Sequence, residues 1–436
     1  MNGVADKKIP AKTGWTNNFG IYRWACFGVL ALAYVLAQFH RNAMAVVASD
    51  MMLDLAMTGA GIGLLASGYF YAYGCMQIPG GFITDYWGPR KTASMFFALG
   101  AVGTIILGIA PAPWVAVVGR VLVGVGVAII FVPAMKIFSY WFRQSEFSIL
   151  AGFFMAAGGA GALLASAPLT LMNSLIGWRG SFVTIGVLSL ITAAALWLIL
   201  RDTPEQKGFD SRALLGEGHA EAAKPLPFKQ AFRVIVSNRS FWFLCFANFL
   251  NFGVSYAFVS LWCGPYFKQI YGYSAGRIGT FLTLFAIFMI IGSFLISRVS
   301  NRLRSRKKVL LLSFAVSFFM MLMITVMPQN LPVAAFYVMF ILIGLVSHPI
   351  TAIFATCANE MFPKNVNGAA TGLINTFSFI GGGLAQIFMG RFLDWYGGGG
   401  NGVYDVKTYA MSFLLLTIAM AAAFALTLPV KEPYHG

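Results

Sequence analysis

Long apolar runs separated by short polar ones set the pattern of this chain. Twelve runs of spanning length fall near 22–48, 60–83, 92–111, 113–140, 146–173, 179–200, 239–265, 275–298, 308–327, 331–358, 366–392 and 407–428. A helix needs about 20 apolar residues to cross the hydrocarbon core of a bilayer. Helices are the form this pattern admits: lipid cannot satisfy open backbone groups, and the alternation of barrel strands is absent. The pattern predicts an all-α polytopic membrane protein with twelve transmembrane helices, each facing lipid bilayer on part of its surface.

The longest polar gap, 201–238, splits the runs six and six. It predicts an N-terminal half over 1–200, a linker over 201–238 and a C-terminal half over 239–436. A short amphipathic segment is expected near Phe228–Val236. The halves repeat. An offset of 216 residues maps Thr58 onto Ser274, Ile62 onto Ile278, Gly63 onto Gly279, Arg90 onto Arg306 and Lys91 onto Lys307. Two parallel six-helix halves around an axis normal to the membrane are a transporter architecture, with its site between the halves near the midplane.

Composition agrees: 59% of residues are hydrophobic and 10% charged, against about 25% charged in soluble proteins. The net charge of +16 reads as topology rather than nucleic-acid binding. With the N-terminus inside, 22 of the 30 Lys and Arg residues fall in cytoplasmic segments and five in external ones. By the positive-inside rule both termini are expected in the cytoplasm and the chain in the cytoplasmic (inner) membrane. The polar start runs into a span too long for a cleaved signal, so it reads as retained. The five cysteines lie inside apolar runs without metal-ligand spacing, and read as small core residues. No metal and no cofactor are expected, and a monomer is the simplest assembly. An enzyme is not expected, because no nucleophile–base pair or metal cluster is legible.

Three basic residues fall inside runs: Arg41, Arg120 and Lys136. A charge at bilayer depth costs at least about 2.5–3.5 kcal/mol and survives by facing protein or a wet cavity. All fourteen acidic residues fall in loops or at run ends. A cavity holding Arg41 and no buried carboxylate has a positive field. It is expected to repel cations and to take an anion, or the carboxylate of a zwitterion. Lys136, toward the inner end of run 4, either lines that cavity or snorkels to the interface.

The loop after run 2 reads Gly81-Phe-Ile-Thr-Asp85-Tyr-Trp-Gly88-Pro-Arg90-Lys91. A glycine there lets two helices approach, and an aspartate can cap a neighbouring helix and pair with basic residues. The loop closely resembles the signature of the major facilitator superfamily, and length, repeat and span count extend the resemblance over the whole chain. It implies a gating latch at Gly81, Asp85, Gly88, Arg90 and Lys91, degraded in the second half, where Asp85 maps onto Asn301. Arg120-x-x-x-Gly124-x-Gly126 resembles the family's helix 4 motif, whose arginine is linked to proton coupling. The glycines of run 5 lack the proline of drug antiporters.

The runs FHRNAMAVV, YFYAYGCMQIPGG and PAMKIFSYWF resemble the anion:cation symporter and organophosphate:phosphate antiporter branches. In both, an arginine in helix 1 meets the substrate's anionic group; here it is Arg41, with Tyr73 and Gln77 at cavity positions of helix 2. Run 7 lacks the second arginine of phosphate-ester antiporters, which favours a monocarboxylate or zwitterion. Without a midplane carboxylate, His40 and His348 remain as proton-coupling groups beside Arg120, since histidine titrates near neutral pH. Pro349 is expected to kink run 10. Asn248, Asn251, Tyr256, Asn375 and Gln386 either bind the uncharged part of the cargo or bond between helices.

The sequence therefore predicts a secondary transporter of a small organic anion or zwitterion, with proton symport. Export of a larger amphipathic compound such as a siderophore, and a non-transporting sensor, are the alternatives.

Overall fold

The computed structural model describes residues 13–209, 233–363, 366–398 and 402–432. The spans expected from the sequence are all present as helices. Spans 1 to 6 comprise Thr13–Asn42 with Met44–Asp54, Gly59–Trp87, Pro89–Gly108, Pro113–Ala128 with Phe131–Trp141, Gln144–Leu164 continuing past Ala167, and the part of Ala167–Ile199 beyond Gly177. Spans 7 to 12 comprise Arg239–Ala257 continued through Cys263–Ile270, Ala275–Arg302, Arg306–Val326, Val333–Val346 with Ile350–Met361, Asn367–Tyr396, and Val406–Thr427. Among the described residues eleven helices are long and apolar enough to cross a membrane. Span 2 completes the twelve; its four tyrosines and seven glycines lower its hydropathy. Most of the 201–238 linker lies outside the described residues; of the expected amphipathic segment, 233–236 form one helical turn.

Spans begin where the sequence supplies a start signal. Pro89 and Pro113 open spans 3 and 4 at positions where a missing N–H costs nothing. The repeat is visible at the caps. Thr58 accepts from Gly61 N, and its counterpart Ser274 accepts from Arg277 N, so spans 2 and 8 start alike. Arg90 N donates to Asp202, just past span 6, at 2.7 Å, and Arg306 N donates to Glu432, just past span 12, at 2.9 Å. In each half the end of the sixth span thus caps the start of the third. Two tight connections need glycine: Gly88 between spans 2 and 3 has φ +83°, and Gly177 between spans 5 and 6 has φ +69°.

Spans 1, 4, 7 and 10, every third one, are irregular, and span 5 is also interrupted, at Ala165–Ser166. Span 1 breaks at Ala43 and span 4 at Ile129–Ile130, just before Pro133. Span 7 has a π-helical turn over Phe258–Trp262. Span 10 is interrupted at Ser347–Pro349, where Pro349 lacks a donor, as expected. Discontinuous helices of this kind are where transporters place their sites.

Contacts joining the halves gather away from the face that carries Thr13 and Lys431, here called the terminal face. On the opposite face spans 2 and 11 meet backbone to backbone at Gly59 and Gly390, and at Gly63 and Gln386. Gly264 of span 7 packs on the carbonyl of Ala45 in span 1. Ser166 and Thr283 share a hydrogen bond at 2.8 Å, and Lys268 pairs with Asp50 at 2.9 Å. At the terminal face the ion pairs Arg23–Glu146, Lys136–Asp85 and Arg306–Glu360 each stay within one half. The molecule is sealed on the face opposite its termini.

Candidate substrate site

Arg41 lies two residues before the break in span 1 and is 8% exposed. Its guanidinium stacks between two rings from opposite halves, 4.7 Å from Tyr73 of span 2 and 5.1 Å from Phe379 of span 11. The phenols of Tyr34, Tyr69, Tyr73 and Tyr256 make up its polar surroundings. No carboxylate pairs with it among the described residues. Cation–π contacts with neutral rings hold the guanidinium in place and leave its charge uncancelled.

The rings beneath Arg41 form one cluster across the halves. Phe70 meets Tyr256 at 4.7 Å, Tyr73 meets Phe379 at 4.3 Å, and Phe252 stacks on Tyr256 at 4.7 Å. Glycines make this approach possible: Gly381 lies on the carbonyl of Phe249, and Gly382 and Gly383 face Phe70 and Tyr71. Tyr256 OH and His348 Nε2 are 2.9 Å apart, which places His348, inside the span 10 break, one residue from the Arg41 group. Gln77, a turn below Tyr73, is half-buried.

His40 is adjacent to Arg41 in sequence but turns about 100° away around the helix. Its Nε2 lies 3.4 Å from Thr104 Oγ1 of span 3, inside the N-terminal half. Arg120 of span 4 lies within electrostatic reach of it and stacks 4.7 Å from the ring of Tyr69. Gly124, a turn later, packs on the backbone of Tyr69 and draws span 4 against span 2. Arg120 is fully buried, and its three guanidinium nitrogens have no hydrogen-bond partner among the described residues; nor does His40 Nδ1. Burying a charge without hydrogen-bond partners is costly.

The amides of the C-terminal half bond between helices. Asn248 Nδ2 donates to Ser378 Oγ at 2.5 Å, Asn251 Nδ2 to Ser347 O at 3.1 Å, and Gln386 Nε2 to Tyr256 O at 3.1 Å. Asn375 is exposed. Lys136 does not join the Arg41 group: it pairs with Asp85 at 2.8 Å, tying span 4 to the last turn of span 2.

The segment Gly81–Lys91, read from the sequence as a loop, is helical on both sides of Gly88, with span 2 running to Trp87 and span 3 starting at Pro89, and it differs from its sequence reading in three further details. The acid capping span 3 is Asp202 rather than Asp85, because the Gly88 turn aims the first amides of span 3 at the end of span 6. Gly81 has open space where a Cβ would stand; Gly80 is the packed one, against Ile129. Arg90 donates from Nε to Trp197 O at 2.9 Å and stacks on that indole, while Lys91 is exposed. In the second half Asn301 accepts from Arg306, which also pairs with Glu360 of span 10.

Two groups went unread in the sequence. Phe379 covers Arg41 from the other half, signalled only by its place before the Gly381–Gly383 run. Asp394 bonds to the first amides of span 2.

The profile of the Major Facilitator Superfamily matches residues 30–386. The chain belongs to this superfamily. It is a multi-pass membrane protein with the family's twelve-helix fold. Among similar proteins are a probable sulfoacetate transporter of Cupriavidus necator, 23% identical over 92% of this chain and 93% of that one. A hexuronate transporter of Escherichia coli is 26% identical over 86% and 88%. A probable hexose phosphate transport protein of Chlamydia trachomatis is 22% identical over 90% and 89%. Among solved structures, an inward-facing, unoccupied bacterial homologue of the human lysosomal transporter Spinster superposes with TM-score 0.74. It has 19% identity, covering 93% of this chain and 97% of that one.

Proposed function

We propose that this protein is a secondary transporter that moves a small organic anion or zwitterion by alternating access, in symport with protons. One observation carries the reading: Arg41, buried where the two halves meet, keeps a whole positive charge among neutral rings. A carboxylate or sulfonate entering between the halves supplies the missing partner and gains a charge-assisted, bidentate contact. The names of the relatives point the same way, since sulfoacetate, hexuronate and hexose phosphate are all organic anions. A single guanidinium suits one anionic group better than a phosphate dianion.

In this reading Tyr73 and Gln77 flank the bound anion, with Asn251, Tyr256 and Asn375 on the C-terminal side. Lys136 reaches the site only after leaving Asp85. The terminal face is cytoplasmic, both termini with it, and the chain sits in the inner membrane as a monomer of two six-helix halves. The conformation described is then inward-facing. In the outward-facing state the segment Gly81–Lys91 gates the cytoplasmic side through Asp85. Protons couple through His348, bonded to Tyr256 beside Arg41, and through His40 with Arg120.

The test is a thermal-shift screen of purified protein against hexuronates, sulfoacetate, other carboxylates, amino acids, phosphate esters and cationic drugs. It is run on wild type and on Arg41→Gln. A ligand that binds the folded state raises its melting point by mass action. Stabilisation by one class of anion, lost in Arg41→Gln, supports the reading and names the class. Stabilisation by cations, or an anion response indifferent to Arg41, overturns it.

A further inference from the structure

Asp394 stands near the end of span 11, on the face opposite the termini, and reaches into the other half. Its Oδ1 accepts from Gly59 N at 2.9 Å and its Oδ2 from Ala60 N at 2.7 Å. These are the first amides of span 2, which have no partner within their own helix. Tyr404 OH donates to Asp394 Oδ1 at 2.5 Å and also lies 2.8 Å from Gly59 N. Burial and the hydrogen bond to Asp394 push the Tyr404 hydroxyl far above the usual phenol range, so it stays a donor. Beneath this cluster the backbones touch: a Cβ on Gly390 would overlap Gly59 O, and one on Gly63 would overlap Gln386 O.

The start of span 2 therefore has two caps. Thr58, its own, accepts from Gly61 N at 3.3 Å. The other belongs to span 11, and its negative charge lies at the positive end of the span 2 dipole. A carboxylate accepting two amide bonds is a strong cap, but here it crosses the seam along which the halves must part.

We propose that Asp394 is a releasable cap: it holds the transporter closed on the face opposite its termini, and opening that face uncaps span 2. Asp394 thereby sets the balance between the two conformations without touching cargo. The ion pair on this face, Lys268–Asp50, has side chains 48% and 36% exposed. Pairs that exposed hold little, and the Ser166–Thr283 bond is between neutral hydroxyls, weaker than a carboxylate accepting two amides, so Asp394 carries the largest share of the balance. The inference presupposes the alternating-access reading, but not the anion assigned to Arg41.

The test uses full-length protein in lipid nanodiscs without cargo. Spin labels are placed at Leu53→Cys and Met327→Cys, exposed positions on that face in opposite halves, with the exposed Cys75 changed to Ser. Double electron–electron resonance reads the distance between them. Losing a good helix cap shifts a two-state balance by about fivefold or more. In Asp394→Ala and Asp394→Asn the ratio of long to short distances rises by at least that much. Tyr404→Phe gives a smaller rise, and Lys268→Gln the least. An unchanged distribution in monodisperse Asp394→Asn, which keeps the side chain's shape, overturns the proposal. So does a larger shift from Lys268→Gln than from Asp394→Ala.

Discussion

The ring of Phe379 in the C-terminal half lies 5.1 Å from the guanidinium of Arg41 in the N-terminal half. A planar cation is needed to accept that ring and to grip an anion with two parallel N–H groups. Arg41→Lys keeps the charge and loses both. Its half-saturating anion concentration in the thermal-shift assay is expected to rise by about tenfold or more. An unchanged midpoint would mean that charge alone does the binding.

Lys136 and Asp85 are 24% and 75% exposed at their side chains. An exposed pair contributes about 0–1 kcal/mol. Asp85→Asn and Lys136→Gln should therefore barely move the melting temperature. If Asp85 gates the cytoplasmic side, uptake of the identified cargo into proteoliposomes slows in Asp85→Asn all the same. A fall in stability with unchanged uptake would reverse that assignment.

The two histidines separate by assay. His348, bonded to Tyr256 OH, and His40, facing Thr104, are the two histidines among the described residues. His348→Gln is expected to abolish uptake driven by a proton gradient while leaving counterflow exchange at equal pH. Equal loss of both activities would make His348 a packing residue.

Spans 3 and 4 pack through glycine. A Cβ on Gly126 would overlap the backbone of Gly100, whereas one on Gly81 meets nothing within 4 Å. Gly126→Ala should destabilise by about 1–3 kcal/mol through overpacking. Gly81→Ala should leave stability level or raise it by up to about 1 kcal/mol, as alanine favours helix. Melting curves of the two variants decide it.

The twelve spans and their repeat were legible because lipid imposes a length and a polarity that no tertiary contact can override. The repeat even located structure: Thr58 and Ser274 both cap helices, and Arg90 and Arg306 both begin them. Arg41 was legible because a charge inside an apolar run is conspicuous. The direction of His40 was not, since it depends on how span 1 is rotated against span 3. Nor was the role of Asp394, whose partner Gly59 is 335 residues away. A polar residue at a helix end looks the same in sequence whether it faces water or the opposite half. Lys136 was ambiguous for a related reason: its partner Asp85 stands on the last turn of span 2, and only the packing of span 4 against that turn brings the two together.

The paired caps, Asp202 on Arg90 and Glu432 on Arg306, have a mechanical meaning. Each clasps the tail of its bundle to the bundle's own middle, so neither bundle can fan open without breaking its clasp. Flexing is thereby pushed out of the bundles and into the seam between them. On the alternating-access reading proposed above, the two bundles move as stiff blocks sharing one hinge line. A change inside a block shifts how hot the protein must be to melt, while a change along the seam shifts how often it turns over.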